Sequence, residues 1–279
     1  MFYQKYIKYK EKIQLLKGGG DDDDNEANIP LIIKVPTELT TKEKETITSI
    51  KIETPVHTDF FYDENTIQDK ILDYINKIGE NNNIAEDTTN IIKRIIEGVI
   101  RHEKEESAII SLRATAYHKN DSKFRWHRDG KHISFPVSKP VYKYTLALKG
   151  ESTPLVIDKN AIDKFDAIDN DKQELQDCMW KFAGKYKLGP YDIPIEYFKG
   201  IDKMTAPLLV DAIGNDYVQT RTLEEGVYFL TMKDGTSKRE KNTGAIHSEP
   251  EIQKDRLFLV VLPGLQDECR KYIEKNSRK

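Results

Sequence analysis

Cysteine is scarce in this 279-residue chain, which carries only Cys178 and Cys269. Two thiols cannot build a disulfide framework. The N-terminus also has no apolar core of a secretory leader, so both thiols are expected free in a reducing compartment. Long apolar runs are missing too. No stretch approaches the roughly 20 apolar residues that a membrane-spanning helix needs. Nor is there an excess of positive charge: 44 Lys and Arg stand against 47 Asp and Glu, for a net charge of −3 and a pI near 6.1. No overall basic field therefore recruits nucleic acid, although a local basic groove remains open. These absences leave a cytoplasmic protein, and the length permits one large domain or two small ones with a full core. The sequon Asn120-Asp121-Ser122 is idle in such a setting.

Lys, Ile, Asn and Asp are abundant, as in an AT-rich coding sequence. Residues 1–29 divide from the rest. Tyr6, Tyr9, Ile13 and Leu16 recur at helical spacing in a basic segment, and Gly18-Gly19-Gly20 followed by Asp21–Asp24 makes a flexible acidic linker. Residues 30–106 read as strands and supporting helices. Leu31–Val35 and Ser49–Ile52 have strand character. A helix capped by Asn65 is expected over Thr66–Ile78, with Ile67, Ile71, Tyr74, Ile75 and Ile78 on its apolar face. A second is expected over Glu86–Glu105, with Ile91, Ile92, Ile95, Ile96, Val99 and Ile100.

The chemistry concentrates in residues 107–265. His127 and Asp129 are two apart, and on extended backbone residues two apart share a face, so an imidazole and a carboxylate can reach one ion. His247, in Gly-Ala-Ile-His-Ser-Glu-Pro, supplies a third ligand. Two histidines and one carboxylate form the facial triad of non-haem Fe(II) oxygenases. Arg256 follows nine residues after His247 (256 − 247) and opens the apolar run Leu257–Leu262. Strands are expected over Ala108–His118, around Phe124–Asp129, over Tyr142–Leu148 and over Val227–Met232. Residues 156–216 read as an insertion, with a helix near Lys172–Phe182 and a Tyr/Pro/Gly-rich part over Tyr186–Phe198. Trp180, Tyr186, Tyr191 and Tyr197 are candidates to line a substrate groove. Residues 266–279 form a polar amphipathic tail.

His127-x-Asp129, His247 and Arg256 together resemble the Fe(II)/2-oxoglutarate-dependent dioxygenases. The run from Tyr117 to Asp129 resembles the prolyl-hydroxylase branch, where a tyrosine stands ten residues ahead of the first histidine, as Tyr117 does (127 − 117). The resemblance covers roughly residues 107–264. It implies an α+β, mainly β fold: a double-stranded β-helix of the jelly-roll or cupin-like kind, with buttressing helices and a long insertion. It implies Fe(II) on His127, Asp129 and His247 as catalytic centre, 2-oxoglutarate as co-substrate, and O₂. Arg256 would take the distal carboxylate of 2-oxoglutarate and Tyr117 would donate a further hydrogen bond. The reaction would couple decarboxylation of 2-oxoglutarate, to succinate and CO₂, to hydroxylation of a protein or peptide side chain. One departure is Phe258, where many members place Ser or Thr two residues after the arginine. The alternatives are a nucleic-acid oxygenase or demethylase of the same superfamily, using Lys119, Lys123, Arg125, Arg128 and Lys131, and a non-catalytic barrel module. Tyr6-x-Lys8-Tyr9-x-x-Lys12 with Leu15-Leu16-Lys17 resembles the N-termini of nucleocytoplasmic giant-virus proteins. That implies a place in the host cytoplasm, viral factory or virion.

Overall fold

Antiparallel pairing dominates the structure, a computed structural model describing residues 32–79, 84–115, 125–129, 141–186, 195–232 and 244–276. The strands are β1 (Ile32–Pro36), β2 (Val56–Phe61), β3 (Ser107–Thr115), β4 (Val141–Lys149), β5 (Leu155–Val156), β6 (Tyr217–Val218), β7 (Glu225–Met232) and β8 (Arg256–Gly264). The helices are α1 (Thr41–Thr48), α2 (Ile67–Ile78), α3 (Ala85–Glu103), α4 (Lys159–Lys185), α5 (Ile195–Ile213) and α6 (Gln266–Asn276). Six strands form one sheet in the order β1-β7-β4-β8-β3-β2, and every neighbouring pair in it is antiparallel. The class is therefore α+β.

The period of two along each strand divides this sheet into two faces. Leu257, Leu259 and Val261 of β8, Tyr144, Leu146 and Leu148 of β4, and Ile110 and Leu112 of β3 pack with α1, α2 and α3 in the main core. All five apolar positions expected on α2 are buried there. Its N-cap is Thr66, not Asn65, and Thr66 makes no side-chain capping bond. Backbone bonds from Thr66 and Ile67 to the Asp63 carbonyl fix this end instead. The strand expected over Ser49–Ile52 does not form. Thr40 and Glu43 make a reciprocal capping box that starts α1, and Ile50 and Ile52 enter the core from the segment after it.

On the opposite face lies a short second layer. β5 pairs with β6. Val156 donates its N–H to Ile246 and Ser248 to Pro154. His127 and His247 exchange both backbone bonds, at 2.9 and 3.0 Å. The strand expected around Phe124–Asp129 is thus, among the described residues, one antiparallel bridge at His127. The stretch over 156–216, expected as turns, one helix and a Tyr/Pro/Gly-rich part, is instead mostly the two long helices α4 and α5, joined by an ion pair of 2.6 Å between Lys172 and Asp202. Pro207 sits inside α5. Phe165 of α4 and Leu209 and Ile213 of α5 pack against Trp126 and Ile246. Those two residues immediately precede the two histidines, so the base of the helix pair buttresses the bridge that carries them.

Candidate metal centre

His127, Asp129 and His247 come together. One ligand atom from each lies within 4.8 Å of the others, so the group could hold a metal ion. His127 Nε2 is 3.8 Å and His247 Nε2 3.4 Å from Asp129 Oδ1. The ring centroids of the two imidazoles are 4.3 Å apart.

Each imidazole is aimed by its own backbone. His127 Nδ1 donates to the Arg125 carbonyl at 2.7 Å and His247 Nδ1 to the Ala245 carbonyl at 3.1 Å. With Nδ1–H spent in this way, each Nε2 keeps its lone pair for an ion, which is the tautomer a metal ligand needs. Burial first, and the neighbouring His247 second, push the pKa of His127 down to about 4, so it is neutral at pH 7. Phe229 of β7 packs on the His247 ring at 4.7 Å. The Arg125 N–H donates to Ser248 Oγ at 2.6 Å, which ties the two ligand-bearing segments together a second time.

The carboxylate has a partner that sequence reasoning missed. Lys143 Nζ is paired with Asp129 Oδ2 and lies 4.6 Å from the centroid of Phe229. Burial alone would raise the Asp129 pKa. The charge of Lys143 and its hydrogen bond to the carboxylate work against burial and hold the group below the ordinary carboxylate range. Burial lowers Lys143 from the ordinary lysine value, and Asp129 offsets part of that. With Oδ2 held by the lysine, Oδ1 is the oxygen turned toward both imidazoles. A signal did exist: Lys143 is a charged residue between apolar neighbours, on the side of β4 opposite Tyr144, Leu146 and Leu148.

Arg256 begins β8 on the same face of the sheet as Lys143, because Arg256, Phe258 and Val260 alternate with Leu257, Leu259 and Val261. It is 6% exposed. Its Nε donates to the Glu151 carbonyl at 2.8 Å, and Nη2 lies 3.5 Å from Thr153 Oγ1. The guanidinium stands 4.0 Å from the centroid of Phe258, so the residue that departs from the family pattern stacks on the arginine. Burial, and then Arg113, push its pKa down to about 10, still charged at pH 7. Tyr117 lies outside the described residues, as do Lys119, Lys123, Lys131 and Tyr191.

Gly150 fixes the position of Arg256 from behind. Its φ is +77°, and a Cβ there would fall 2.7 Å from the Asp255 carbonyl oxygen and 3.0 Å from Arg256 Cα. Gly150→Ala is expected to cost about 1–3 kcal/mol through strain and overlap. Urea unfolding checks this, and an unchanged midpoint would show that the backbone adapts.

Ser111 of β3 joins His57 to Arg113, with His57 Nε2 at 3.0 Å from Asp59 Oδ1 and 3.1 Å from Ser111 Oγ. These are the residue types of a nucleophilic triad. Both contacts fall on one ring nitrogen, so the ring cannot pass a proton from serine to carboxylate as such a triad requires.

Arg128, named above for a basic groove, is committed elsewhere. It pairs with Asp166 at 2.6 Å and donates to the Gly244 carbonyl at 2.7 Å, with its side chain 6% exposed.

The site defines a two-histidine, one-carboxylate centre able to bind a metal ion. No family model matches the chain, and no curated protein sequence matches it. Among solved structures, the chain is similar to a truncated viral collagen prolyl hydroxylase from Paramecium bursaria Chlorella virus-1, at 8% identity and a TM-score of 0.38, over 88% of this chain and 98% of the other. At that similarity nothing about activity is transferred from it. Among the described residues, no helix is long and apolar enough to cross a membrane.

Proposed function

We propose that the chain is an Fe(II)/2-oxoglutarate-dependent dioxygenase that hydroxylates a protein or peptide side chain. The observation that carries the reading is the convergence of two Nε2 lone pairs and one carboxylate oxygen, with every other polar atom of those side chains already engaged. Nitrogen and oxygen donors of this kind suit Fe(II), and three protein ligands leave positions for a co-substrate and O₂. When bound, iron would supply the oxidising chemistry that couples decarboxylation of 2-oxoglutarate to hydroxylation. The chain's own residues do the rest. His127, Asp129 and His247 hold the ion. Lys143 orients the carboxylate. Arg256, buried with a planar fork, receives the distal carboxylate of 2-oxoglutarate, with Thr153 Oγ1 beside it and Tyr117 as a further donor.

The double-stranded β-helix is part of this reading, with the six-stranded sheet as one layer and the short β5–β6 layer as the other. So is the division of the chain into residues 1–29, 30–106, 107–265 and 266–279, with 156–216 as an insertion that selects the substrate. The peptide substrate rests on the resemblance of Tyr117–Asp129 to prolyl hydroxylases. Giant-virus origin rests on the residues from Tyr6 to Lys17. The engagement of Arg128 with Asp166 disfavours the nucleic-acid alternative.

The test is succinate formation from 2-oxoglutarate under Fe(II) and air, alongside mass spectrometry of candidate peptides for added oxygen. Wild type is expected to form succinate and His247→Ala to form none. Equal succinate from both proteins would sink the assignment.

A further inference from the structure

A cavity lies on the helix side of the sheet, away from the metal centre. It has a volume of about 550 Å³ and lies between the segment from Val35 to Leu39, helix α3 and the tyrosines of β4 and β7. That size is in the range of small-molecule sites, roughly 300–1,000 Å³. Its floor is aromatic. Tyr144 and Tyr228 have ring centroids 5.0 Å apart, and His102 lies 5.2 Å from Tyr228. Its walls are Val35, Leu39, Ile95 and Val99.

Two observations bear on what it could hold. The first is Gly98. Glycine is the poorest residue for a helix interior after proline, yet Gly98 lies within α3, at the cavity. A Cβ there would meet nothing within 4 Å. The glycine therefore leaves open space at the cavity that a larger side chain would take up. The second is charge. Arg94, Arg101 and Lys104 line the cavity against one carboxylate, Glu38. Arg94 is shared with Glu43 at 2.7 Å and Arg101 more loosely with Glu97 at 3.9 Å. Lys104 is exposed at the left-handed C-cap of α3. A basic occupant such as residues 1–17 of this chain would meet that rim unfavourably.

We infer that this cavity is a binding site for a small amphipathic anion, with a flat apolar body on the tyrosines and an acidic group at the Arg101–Lys104 rim. It is separate from the metal centre, since Tyr144 and Tyr228 lie on the helix side of the sheet.

The probe is anilinonaphthalene sulfonate, an aromatic anion, titrated into the full-length protein and followed by its fluorescence. Saturable one-to-one binding is expected at about 10 μM, the middle of the range for a modest small-molecule contact. An excess of 2-oxoglutarate should not displace it. Gly98→Leu should fill the cavity and weaken the dye at least tenfold, with a cooperative melt at or above the wild-type temperature. The exposed pair Arg101→Glu, Lys104→Glu should weaken the sulfonate at least fivefold and leave the uncharged dye phenylnaphthylamine unchanged. That second arm stands even if Gly98→Leu does not fold. Failure of the full-length protein to bind the sulfonate, displacement by 2-oxoglutarate, undiminished binding in folded Gly98→Leu, or equal loss of both dyes on charge reversal would each overturn the inference.

Discussion

Asp129→Ala is expected to abolish succinate formation and to lower the melting temperature in the same protein. The first effect follows from removing one of three ligands from a site that cannot replace it. A loss of about 4 kcal/mol of transition-state stabilisation is about a thousandfold in rate. The second follows from Lys143, whose ammonium would be left without its carboxylate in a site where its side chain is 16% exposed. Stranding one member of a mostly buried pair costs about 3 kcal/mol. For a chain of this size that is about 6–12 °C. Lys143→Met added to Asp129→Ala removes the stranded charge and should restore most of the melting temperature without any succinate. Calorimetry and a succinate assay on the single and double variants separate the two roles. A double variant no more stable than Asp129→Ala would mean that Lys143 reaches solvent when unpaired.

Arg256→Ala should weaken 2-oxoglutarate binding to the Mn(II)-loaded, anaerobic protein while Mn(II) binding stays at the wild-type level. Removing an ionic hydrogen-bonding pair from a desolvated site costs roughly 2–5 kcal/mol, or about 30- to several-thousand-fold in affinity. Arg256→Lys keeps the charge and loses both the planar fork and its stacking on Phe258, so an intermediate loss is expected. Tyr117→Phe removes one neutral hydrogen bond and should cost about 1 kcal/mol. Wild-type affinity in Arg256→Ala, or a larger loss in Tyr117→Phe, would rule out the proposed position of the co-substrate.

The parts of this molecule that follow from local periodicity were legible in the sequence. The buried faces of α2 and α3 come from apolar spacing alone. The pairing of His127 with Asp129 comes from the two-residue repeat of extended chain, and it holds although only a bridge forms there. What depends on register between distant strands was not legible. Lys143 meets Asp129 only because β4 lies beside β7 and because the bridge to His247 places residues 125–129 over them. Ser49–Ile52 misled because its β-branched alternation resembles a strand. The capping box at Thr40, nine residues earlier (49 − 40), was the competing signal, and the helix it starts leaves too little chain for one. The α4–α5 pair was obscured by Pro207 and by the glycine and tyrosine content near Tyr186. Tertiary support from Phe165, Leu209 and Ile213 on Trp126 and Ile246 outweighs those weak propensities.

The alternation of β4 and β7 makes the central sheet a partition whose two sides are read by parity. Lys143 pairs with Asp129 of the candidate metal centre, and its neighbour Tyr144 faces the cavity behind. Phe229 packs on His247 and its neighbour Tyr228 floors that same cavity. Loss of a single residue inside either strand would exchange the two sides beyond that point. A tyrosine would then face the carboxylate, and an ammonium would enter the aromatic floor. Loss of two residues would keep parity but slide the strand about 7 Å against its neighbours. Changes of chain length are therefore tolerated in the connections and not in these strands, and the two sites are bound to one another by arithmetic even where no side chain of one touches the other.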